Sequence, residues 1–395
     1  GRSSTSKSYM WLYRTSGCAK QAVVLYEYQS TRKAEHAEHF LKGFSGWLHA
    51  DGYQGYHKLP GNIRVVGCWA HARRKFDEAL GTLPQEKRKD SPAAMGEWYC
   101  SQLFKLEQAL AELTPEDLDY ILAGDLLNQC IGSSFGLRDF SIPFFGLYGA
   151  CSTMGESLSL GAIAVSAGYG AHILCATSSH FATAEKEFRF PLGYGNQRPL
   201  SATWTVTGAG ACILGYEPPP RPDNKTLNTL RNRNICAVIT GITTGRLIDF
   251  GFRDSLNMGA CMAPAACDTI CRHLTDFDRK PSDYDAIITG DLGVVGQRIL
   301  FDLLREKGLS ISSIHHDCGL LIFDNKSQDT HSGGSGCGCA ASVLAAFILP
   351  RIVTGQWKRV LFVPTGAMLS KVSFNEGESV PGIAHGIVLE HIQLS

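Results

Sequence analysis

The residues best suited to chemistry are one cysteine at the start of an apolar helix and two aspartates that follow apolar strands. Cys151 lies in the sequence Gly-Ala-Cys-Ser, where a helix N-terminus lowers the pKa of a thiol and favours the thiolate. Asp125 and Asp291 both end a strand with the pattern Gly-Asp-Leu. A reactive Cys151 would serve acyl transfer. The aspartates could structure their turns, point elsewhere or hold a cation such as calcium.

Acyl transfer by a cysteine also needs a base and a group that polarises the carbonyl, in the form of histidine or of histidine with asparagine. No such set is recognisable around Cys151. His180 and His331 are the candidate bases, although a structural role explains each histidine better. We therefore favour a binding protein over an enzyme, with a Cys151 acyltransferase as the alternative.

The elements that position these residues form an internal repeat. Four blocks recur in the same order, which predicts two homologous α/β halves with mostly parallel sheets covered by helices. The paired blocks are residues 115–126 with 281–292, 149–152 with 336–339, 171–178 with 358–366, and 204–214 with 381–389. We assign the halves to residues 113–235 and 236–395, joined by a surface loop over 217–234.

Residues 1–112 differ in charge and in pattern. They hold 16 basic and 11 acidic residues, a net charge of +5. The remainder of the chain holds 21 basic and 26 acidic residues, a net charge of −5. The predicted elements are strands over 8–13, 21–28, 47–50 and 63–69, with helices over 34–43 and 70–80. This order, with Asp51 at a strand end, fits a ribonuclease-H-like nuclease core, in which carboxylates hold two metal ions.

The composition is that of a globular protein, with 44% apolar and 19% charged residues. The longest apolar stretch, Ala340–Pro350, is shorter than the roughly 20 residues that span a bilayer. The first ten residues are polar and basic and predict no signal peptide, and because the chain opens with Gly1 we expect its natural start upstream. The 14 cysteines lie mostly in apolar runs, which indicates core packing in a reducing compartment, and no metal or cofactor is expected.

Two long motifs in the first segment, DGYQGY and GCWAHARRKF, resemble insertion-sequence-sixty-six transposases over about residues 6–116. The resemblance implies a triad of acidic residues that cuts and joins DNA, and Asp51 matches its second acid. The first acid would lie upstream of this chain and the third beyond the resemblance. Because one carboxylate cannot hold two metal ions, we predict a transposase remnant that cleaves no DNA, and DNA is not expected as a partner.

The motifs of the repeat resemble the stage V sporulation protein AD family over about residues 113–392. They include IPFFGLYGACSTMGESLSLGA, TSSHFATAEKEFRFPLGYGNQRP, NMGACMAPAACDTI, HSGGSGCGCAAS and GESVPGIAHGIVLE. The resemblance implies a thiolase-like fold and binding of dipicolinic acid for its uptake into the developing spore. It further implies small membrane proteins as partners, a homodimer, and a cytoplasmic location peripheral to the spore inner membrane.

Dipicolinate is a flat aromatic dianion, so arginines, hydroxyls and the amides of helix starts would bind it. The candidate ligand-binding residues are Asp125, Cys151, Ser152, Thr153, Ser178, Ser179, His180, Arg189, Arg198, Asp291, His331, Gly334, Ser335 and Cys337. In related condensing enzymes a histidine stands where this chain has Asp291, and an asparagine where it has Cys337. We expect Cys151, the Ser178–His180 turn, Asp291 and the Gly333–Cys337 turn to converge on one cleft between the two halves.

The chain departs from the sporulation family at its start. The transposase-like segment replaces about seventy residues, including the first strand of the N-terminal half. We place that strand at the centre of the sheet, beside Ile121, so that its loss would leave buried ladder groups unpaired at about 1–3 kcal/mol each. The composite chain is therefore predicted to combine a transposase fragment with an incomplete thiolase-like protein.

Overall fold

A computed structural model describes residues 9–14, 24–88, 91–98, 100–101, 115–188, 198–215 and 237–392. The chain divides into two units, Gly1–Gln108 and Ala109–Ser395. The domain boundaries expected after residues 112 and 235 fall in segments outside the described residues, and so does the loop over 217–234. These three assignments stay predictions.

The N-terminal unit consists of short elements close to the predicted ones. Its described strands are β1 (Tyr9–Arg14), β2 (Val24–Gln29), β3 (Gly46–Ala50) and β4 (Ile63–Gly67). Its described helices include α1 (Ala34–Phe40), α2 (Trp69–Thr82) and α3 (Gln85–Arg88), and residues 92–98 and 100–101 are also helical. Strands β1 and β2 pair antiparallel, while β3 and β4 form a separate parallel pair. Trp11 is buried among the rings of Tyr53 and Tyr56, so aromatic packing holds β1 against the turn after β3.

The first half of the C-terminal unit is a four-stranded sheet with the order β6-β5-β7-β9. Its strands are β5 (Tyr120–Asp125), β6 (Phe144–Gly146), β7 (His172–Ser179) and β9 (Gly208–Gly215), and β8 (Trp204–Thr205) lies outside this sheet. Its helices are α4 (Ile131–Leu137), α5 (Thr153–Ser166) and α6 (Phe181–Phe188). Strands β5, β6 and β7 are parallel, and β9 runs antiparallel to β7.

The second half is a five-stranded sheet with the order β12-β11-β14-β17-β10. Its strands are β10 (Ala237–Thr243), β11 (Ala286–Thr289), β12 (His315–Asp317), β14 (Arg359–Val363) and β17 (Gly386–His391). Short strands β13 (Gly334–Ser335), β15 (Thr365–Ala367) and β16 (Gly382–Ala384) lie outside it. The helices are α7 (Met258–Asp276), α8 (Gly293–Glu306), α9 (Cys318–Leu321), α10 (Cys337–Val343), α11 (Leu349–Val353) and α12 (Lys371–Asn375).

The two sheets confirm the predicted duplication. Strands β6, β5, β7 and β9 take the same places as β12, β11, β14 and β17, and in both halves the last of the four is antiparallel to the third. The helix after Gly149 and the helix after Gly336 both start where the repeat predicts. The repeated sequence blocks therefore correspond to repeated structural units.

The expected position of the missing first strand is wrong. Ile121 has strand partners on both sides, Phe144 in β6 and Leu174 in β7. The second half shows why, because its own first strand, β10, pairs with β17 at the edge of the sheet. Among the described strands, β9 pairs only with β7, so the place equivalent to that of β10 lies at the edge of the first sheet and not in its middle.

Apolar side chains of both halves meet in one core. Leu158 and Ile173 of the first half and Phe362 and Ile387 of the second belong to the same buried cluster. The cysteines behave largely as predicted, since most of those in the described part are buried, including Cys261 and Cys267 on α7. Within the residues that the structure describes, no helix is long and apolar enough to cross a membrane.

Candidate functional site: a buried thiol–carboxyl cluster and a stacked arginine

Cys151 lies in a tight turn that leads into helix α5. The turn is the 3-10 helix Ala150–Ser152, and Ala150 has a φ of 51°, in the left-handed region that L-residues rarely adopt. Hydroxyl groups hold this turn: Ser152 Oγ donates to Gly149 O at 2.7 Å and Thr153 Oγ1 donates to Ala150 O at 2.6 Å. Because Ser152 and Thr153 are fully buried and use their hydroxyls in the turn, they position Cys151 and are not directed at a ligand.

The partner of Cys151 comes from the other half. Asp291 follows β11, and its carboxylate accepts hydrogen bonds from Gly336 N at 2.8 Å and from Thr365 Oγ1 at 2.9 Å. The Cys151 thiol also hydrogen-bonds to this carboxylate. Asp291 is only 1% exposed, so this pair is a buried junction between the halves.

The electrostatics of this pair oppose a reactive thiolate. Burial raises the pKa of the Cys151 thiol well above its ordinary value, and the charge of Asp291 raises it further. Burial also raises the pKa of Asp291 to about 6, although hydrogen bonds from Gly336, Cys151 and Thr365 act in the opposite direction. The effect expected of the helix N-terminus is therefore outweighed, and Cys151 is held as a neutral thiol.

Cys337 joins the cluster from the start of α10. Its thiol donates to Ser178 O at 3.0 Å, and the amide of Gly338 donates to Ser179 Oγ at 3.1 Å. Burial raises the pKa of Cys337 well above the ordinary range, with Asp125 and Asp291 adding to the shift. Gly336 has a φ of 109°, and an added Cβ at Gly338 would overlap the backbone of Ser179 and Gly208, so only glycine permits this close approach.

Several of the groups expected to line one cleft between the halves are in contact, whereas His180 is exposed. Cys151, the end of β7, Asp291 and the turn before α10 meet, but the residues that meet are buried. Gly334 and Ser335 take part differently, because they form strand β13 and pair in parallel with Trp204 and Thr205. They connect the halves through backbone hydrogen bonds.

Asp125 has a structural role that the sequence left open. Its carboxylate accepts hydrogen bonds from Leu127 N at 2.8 Å and from Ser133 N at 2.6 Å. It therefore organises the turn after β5 and the first turn of α4. Across the described ranges, no group of three or more His, Cys, Asp or Glu side chains is placed to hold a metal ion.

Arg198 forms a second cluster near the end of the first half. Its side chain is 5% exposed, and its guanidinium lies 4.1 Å from the centre of the Trp204 ring. Nη2 donates to Asp329 O at 3.0 Å, whereas Nη1 is buried and has no hydrogen-bond partner among the described residues. The Phe181 ring stacks against the Trp204 ring, and the two ring centroids are 4.4 Å apart.

His331 belongs to this second cluster and does not act on Cys151. Its Nδ1 lies 2.9 Å from Pro199 O and its Nε2 lies 3.0 Å from an Asp329 carboxylate oxygen. Both contacts are hydrogen bonds only when the ring is protonated at both nitrogens. His180 is exposed at the start of α6, and Arg189 lies outside the described residues. The proposed bases are thus separate from the thiol.

The sequence reasoning missed three residues that the structure brings to these clusters. Thr365 binds Asp291, and Trp204 stacks on Arg198. His385 packs beside Gly155, one turn after Cys151, and burial lowers its pKa to about 4. Its Nδ1 accepts from Gly245 N at 3.2 Å, while Nε2 is buried without a partner in the described part of the chain. Trp204 and His385 lie in the fourth pair of repeated blocks. Their position in a repeated block is the one sequence signal that could have identified them as site residues.

Asp51, the acid expected from the transposase motif, is neutralised within its own unit. Its carboxylate lies 3.0 Å from Arg32 Nη2 and accepts a hydrogen bond from Tyr53 N at 3.1 Å. The surrounding pocket carries charges of both signs, with Arg74, Lys75 and Glu78 in its lining. Asp51 therefore closes a turn and pairs with an arginine.

Sequence and structure together define a duplicated α/β protein that is preceded by a segment similar to transposases. The family model of Stage V sporulation protein AD matches residues 100–390, and the model of the Transposase IS66 family matches residues 1–121. The chain belongs to the Stage V sporulation protein AD family. It is 39% identical over 341 residues to Stage V sporulation protein AD of Bacillus subtilis strain 168, covering 82% of this chain and 96% of that protein.

Other similar proteins have a lower sequence identity to this chain and match a smaller part of it. The uncharacterized protein y4qI of Sinorhizobium fredii is 32% identical over 139 residues, which are 31% of this chain and 26% of that protein. Among solved structures, the tetronic acid condensing enzyme AbyA1 has a TM-score of 0.47 and 16% identity, covering 72% of this chain and 83% of its own. Human mitochondrial 3-ketoacyl-CoA thiolase has a TM-score of 0.46 and 13% identity, and the match covers 75% of this chain and 92% of the thiolase chain.

Proposed function

We propose that this sporulation protein binds dipicolinic acid for uptake into the developing spore and catalyses no reaction on it. The observation that carries the proposal is Arg198, a nearly buried cation with one guanidinium nitrogen unpartnered among the described residues. Leaving such a donor unpaired is costly, which favours a ligand that supplies the acceptor.

The chemistry around Arg198 suits a flat aromatic dianion. A guanidinium binds a carboxylate through two parallel hydrogen bonds, and the adjacent Trp204 and Phe181 rings offer an aromatic surface for stacking. The Cys151–Asp291 cluster is the poorer candidate, because its groups are buried and already bind one another, whereas the carboxylate beside Arg198, that of Asp329, is largely exposed and can turn away from a ligand.

Calorimetry with dipicolinate tests this proposal on the full chain. We expect Arg198→Ala to weaken binding at least tenfold, because one charge-assisted hydrogen bond contributes about 1.5–3 kcal/mol. Arg305→Ala is the matched control, since Arg305 is largely exposed and distant in the sequence from this cluster. Absence of binding at millimolar dipicolinate, or equal affinities for the two variants, would refute it.

The acyltransferase is the second candidate, because Cys151 stands at a helix start on a constrained turn with a carboxyl partner. Incubation with acyl-CoA followed by intact-mass measurement separates the two functions. An acyl adduct that Cys151→Ala abolishes would identify an enzyme, whereas the neutral thiol favours an unmodified chain.

We further propose a homodimer that acts at the spore inner membrane with small membrane proteins as partners. Support for self-association comes from apolar side chains at least one-third exposed around edge strand β6 and helix α4: Ile131, Phe135, Phe140, Phe144 and Phe145. Phe145→Glu should shift sedimentation from dimer to monomer. Co-sedimentation with vesicles carrying those partners tests the location.

The N-terminal unit is proposed to cleave no DNA, because Asp51 is paired with Arg32 and a single carboxylate cannot hold two metal ions. A nicking assay with Mn²⁺ tests this. Cleavage by the full chain that Asp51→Asn removes would contradict the proposal.

A further inference from the structure

Strand β9 is the last strand of the first sheet in the part of the chain that the structure describes. It pairs antiparallel with β7 over its whole length, from Gly208 opposite Ser179 to Gly215 opposite His172. Its counterpart β17 lies between two strands and pairs antiparallel with both β14 and β10. By comparison with its counterpart, β9 therefore has no antiparallel strand in the place of β10 among the described residues.

Strands β9 and β17 also differ in how far their residues are buried. The first four residues of β17, Gly386–Leu389, are all buried, whereas none of the eight residues of β9 is buried, and Ala209 and Ala211 are exposed. In the second half, helix α7 covers β10 and the end of β16, with Thr269 Oγ1 donating to Ala384 O at 2.8 Å. One face of β9 lacks an equivalent cover among the described residues.

The composition of β9 suits an added strand. Its sequence, Gly-Ala-Gly-Ala-Cys-Ile-Leu-Gly, contains none of the charged or proline residues by which edge strands resist pairing. Gly208 and Gly210 face helix α10, since an added Cβ there would contact Ser342 or Ala341. Ala209 and Ala211 face the other way and leave room for bulkier side chains of an incoming strand.

We propose that the edge of β9 binds an extended segment of another polypeptide as an additional antiparallel strand. The chemistry of that segment follows from β10, whose sequence Ala-Val-Ile-Thr-Gly-Ile-Thr is uncharged and rich in β-branched residues. Backbone hydrogen bonds supply the affinity, and the apolar side chains cover the open face of the first sheet. The site is independent of the Arg198 cluster.

A fluorescent peptide with the sequence of residues 237–243 tests the proposal on the full chain. We expect saturable binding by anisotropy, with slower hydrogen exchange in residues 208–215 and no change in residues 386–391. A peptide carrying Ile239→Pro should bind at least about tenfold more weakly, because proline removes a backbone donor and is excluded from paired strands. Failure of the peptide to bind at millimolar concentration, or protection outside β9, would overturn the proposal.

Variants of the chain locate the site. Ala209→Lys combined with Ala211→Lys places two charges on the face that the incoming side chains cover, and should weaken peptide binding about tenfold or more. Ser312→Lys combined with Ser313→Lys adds the same charge at another exposed position and should leave binding unchanged. A dimer of the peptide-free chain that the alanine-to-lysine pair dissociates would assign the edge to a second copy and overturn the proposal of a separate strand. Equal binding by both double variants would also refute it.

Discussion

The two halves of the C-terminal unit share an order of strands but differ in what covers them. In the second half, β11 is buried along its whole length and β14 is buried at four of its five residues. In the first half, β7 alternates between buried and partly exposed residues, so one face is covered much more completely than the other. The repeated blocks therefore determine strand order, whereas burial also depends on β10 and α7, which have no equivalent among the described residues of the first half.

The equivalent aspartates extend this comparison to polar groups. Asp125 and Asp291 occupy the same position after the second strand of their sheets, yet Asp125 binds amides of its own half and Asp291 binds groups of both halves. One local sequence pattern therefore has two roles. The difference comes from which residues the opposite half brings near.

The largest difference between the halves should appear in core truncations at matched leucines. Leu389→Ala in β17 should lower the free energy of unfolding by about 2–5 kcal/mol, because Leu389 is 4% exposed and its loss leaves a cavity. Leu214→Ala in β9 should cost about 1 kcal/mol, since this side chain is only partly removed from water. Urea denaturation measures the free energy of unfolding of both variants, and hydrogen exchange of residues 287–289 reports the same loss within the core. Equal losses for the two leucines would contradict the difference between the halves.

A smaller effect is expected from the buried carboxyl of the second half. The pKa of Asp291 is about 6 in the folded chain and near 3.8 when unfolded, so its contribution to stability is present below pH 4 and is lost as pH rises from 4 to 6. Because asparagine does not ionise, Asp291→Asn avoids the stability that Asp291 loses on ionisation. The variant should therefore raise the free energy of unfolding at pH 7 by about 1–3 kcal/mol. Unfolding at pH 4 and pH 7 tests it, with Asp302→Asn at an exposed carboxyl as control. A variant less stable than the parent at pH 7 would show that Asp291 is needed as an anion.

The smallest effect is expected at the matching carboxyl of the first half, and it has the opposite sign. Asp125→Asn weakens the hydrogen bonds from Leu127 N and Ser133 N and should destabilise the chain by about 1–2 kcal/mol at pH 7. The same denaturation series measures it. Stabilisation by both asparagine variants would mean that the two aspartates have the same role after all.

Much of the fold was predictable from local patterns. The repeat, the alternation of strands and helices, and the helix starts near Cys151 and Cys337 all depend on residues close in sequence, and the structure confirms them. The position of the missing strand was not predictable in this way, because sheet order depends on pairing between distant segments. Strand β10 lies next to β17, which is almost 150 residues later in the chain.

The candidate site divides in the same way. The types of residue that could bind or react, including Cys151, Asp291 and Arg198, were evident from the sequence. Only the tertiary structure decided that burial, together with the charge of Asp291, holds Cys151 as a neutral thiol and that Trp204 covers the guanidinium of Arg198. The physical reason is that the pKa and the hydrogen bonds of a buried group depend on burial and on neighbours from the other half, which local sequence does not specify.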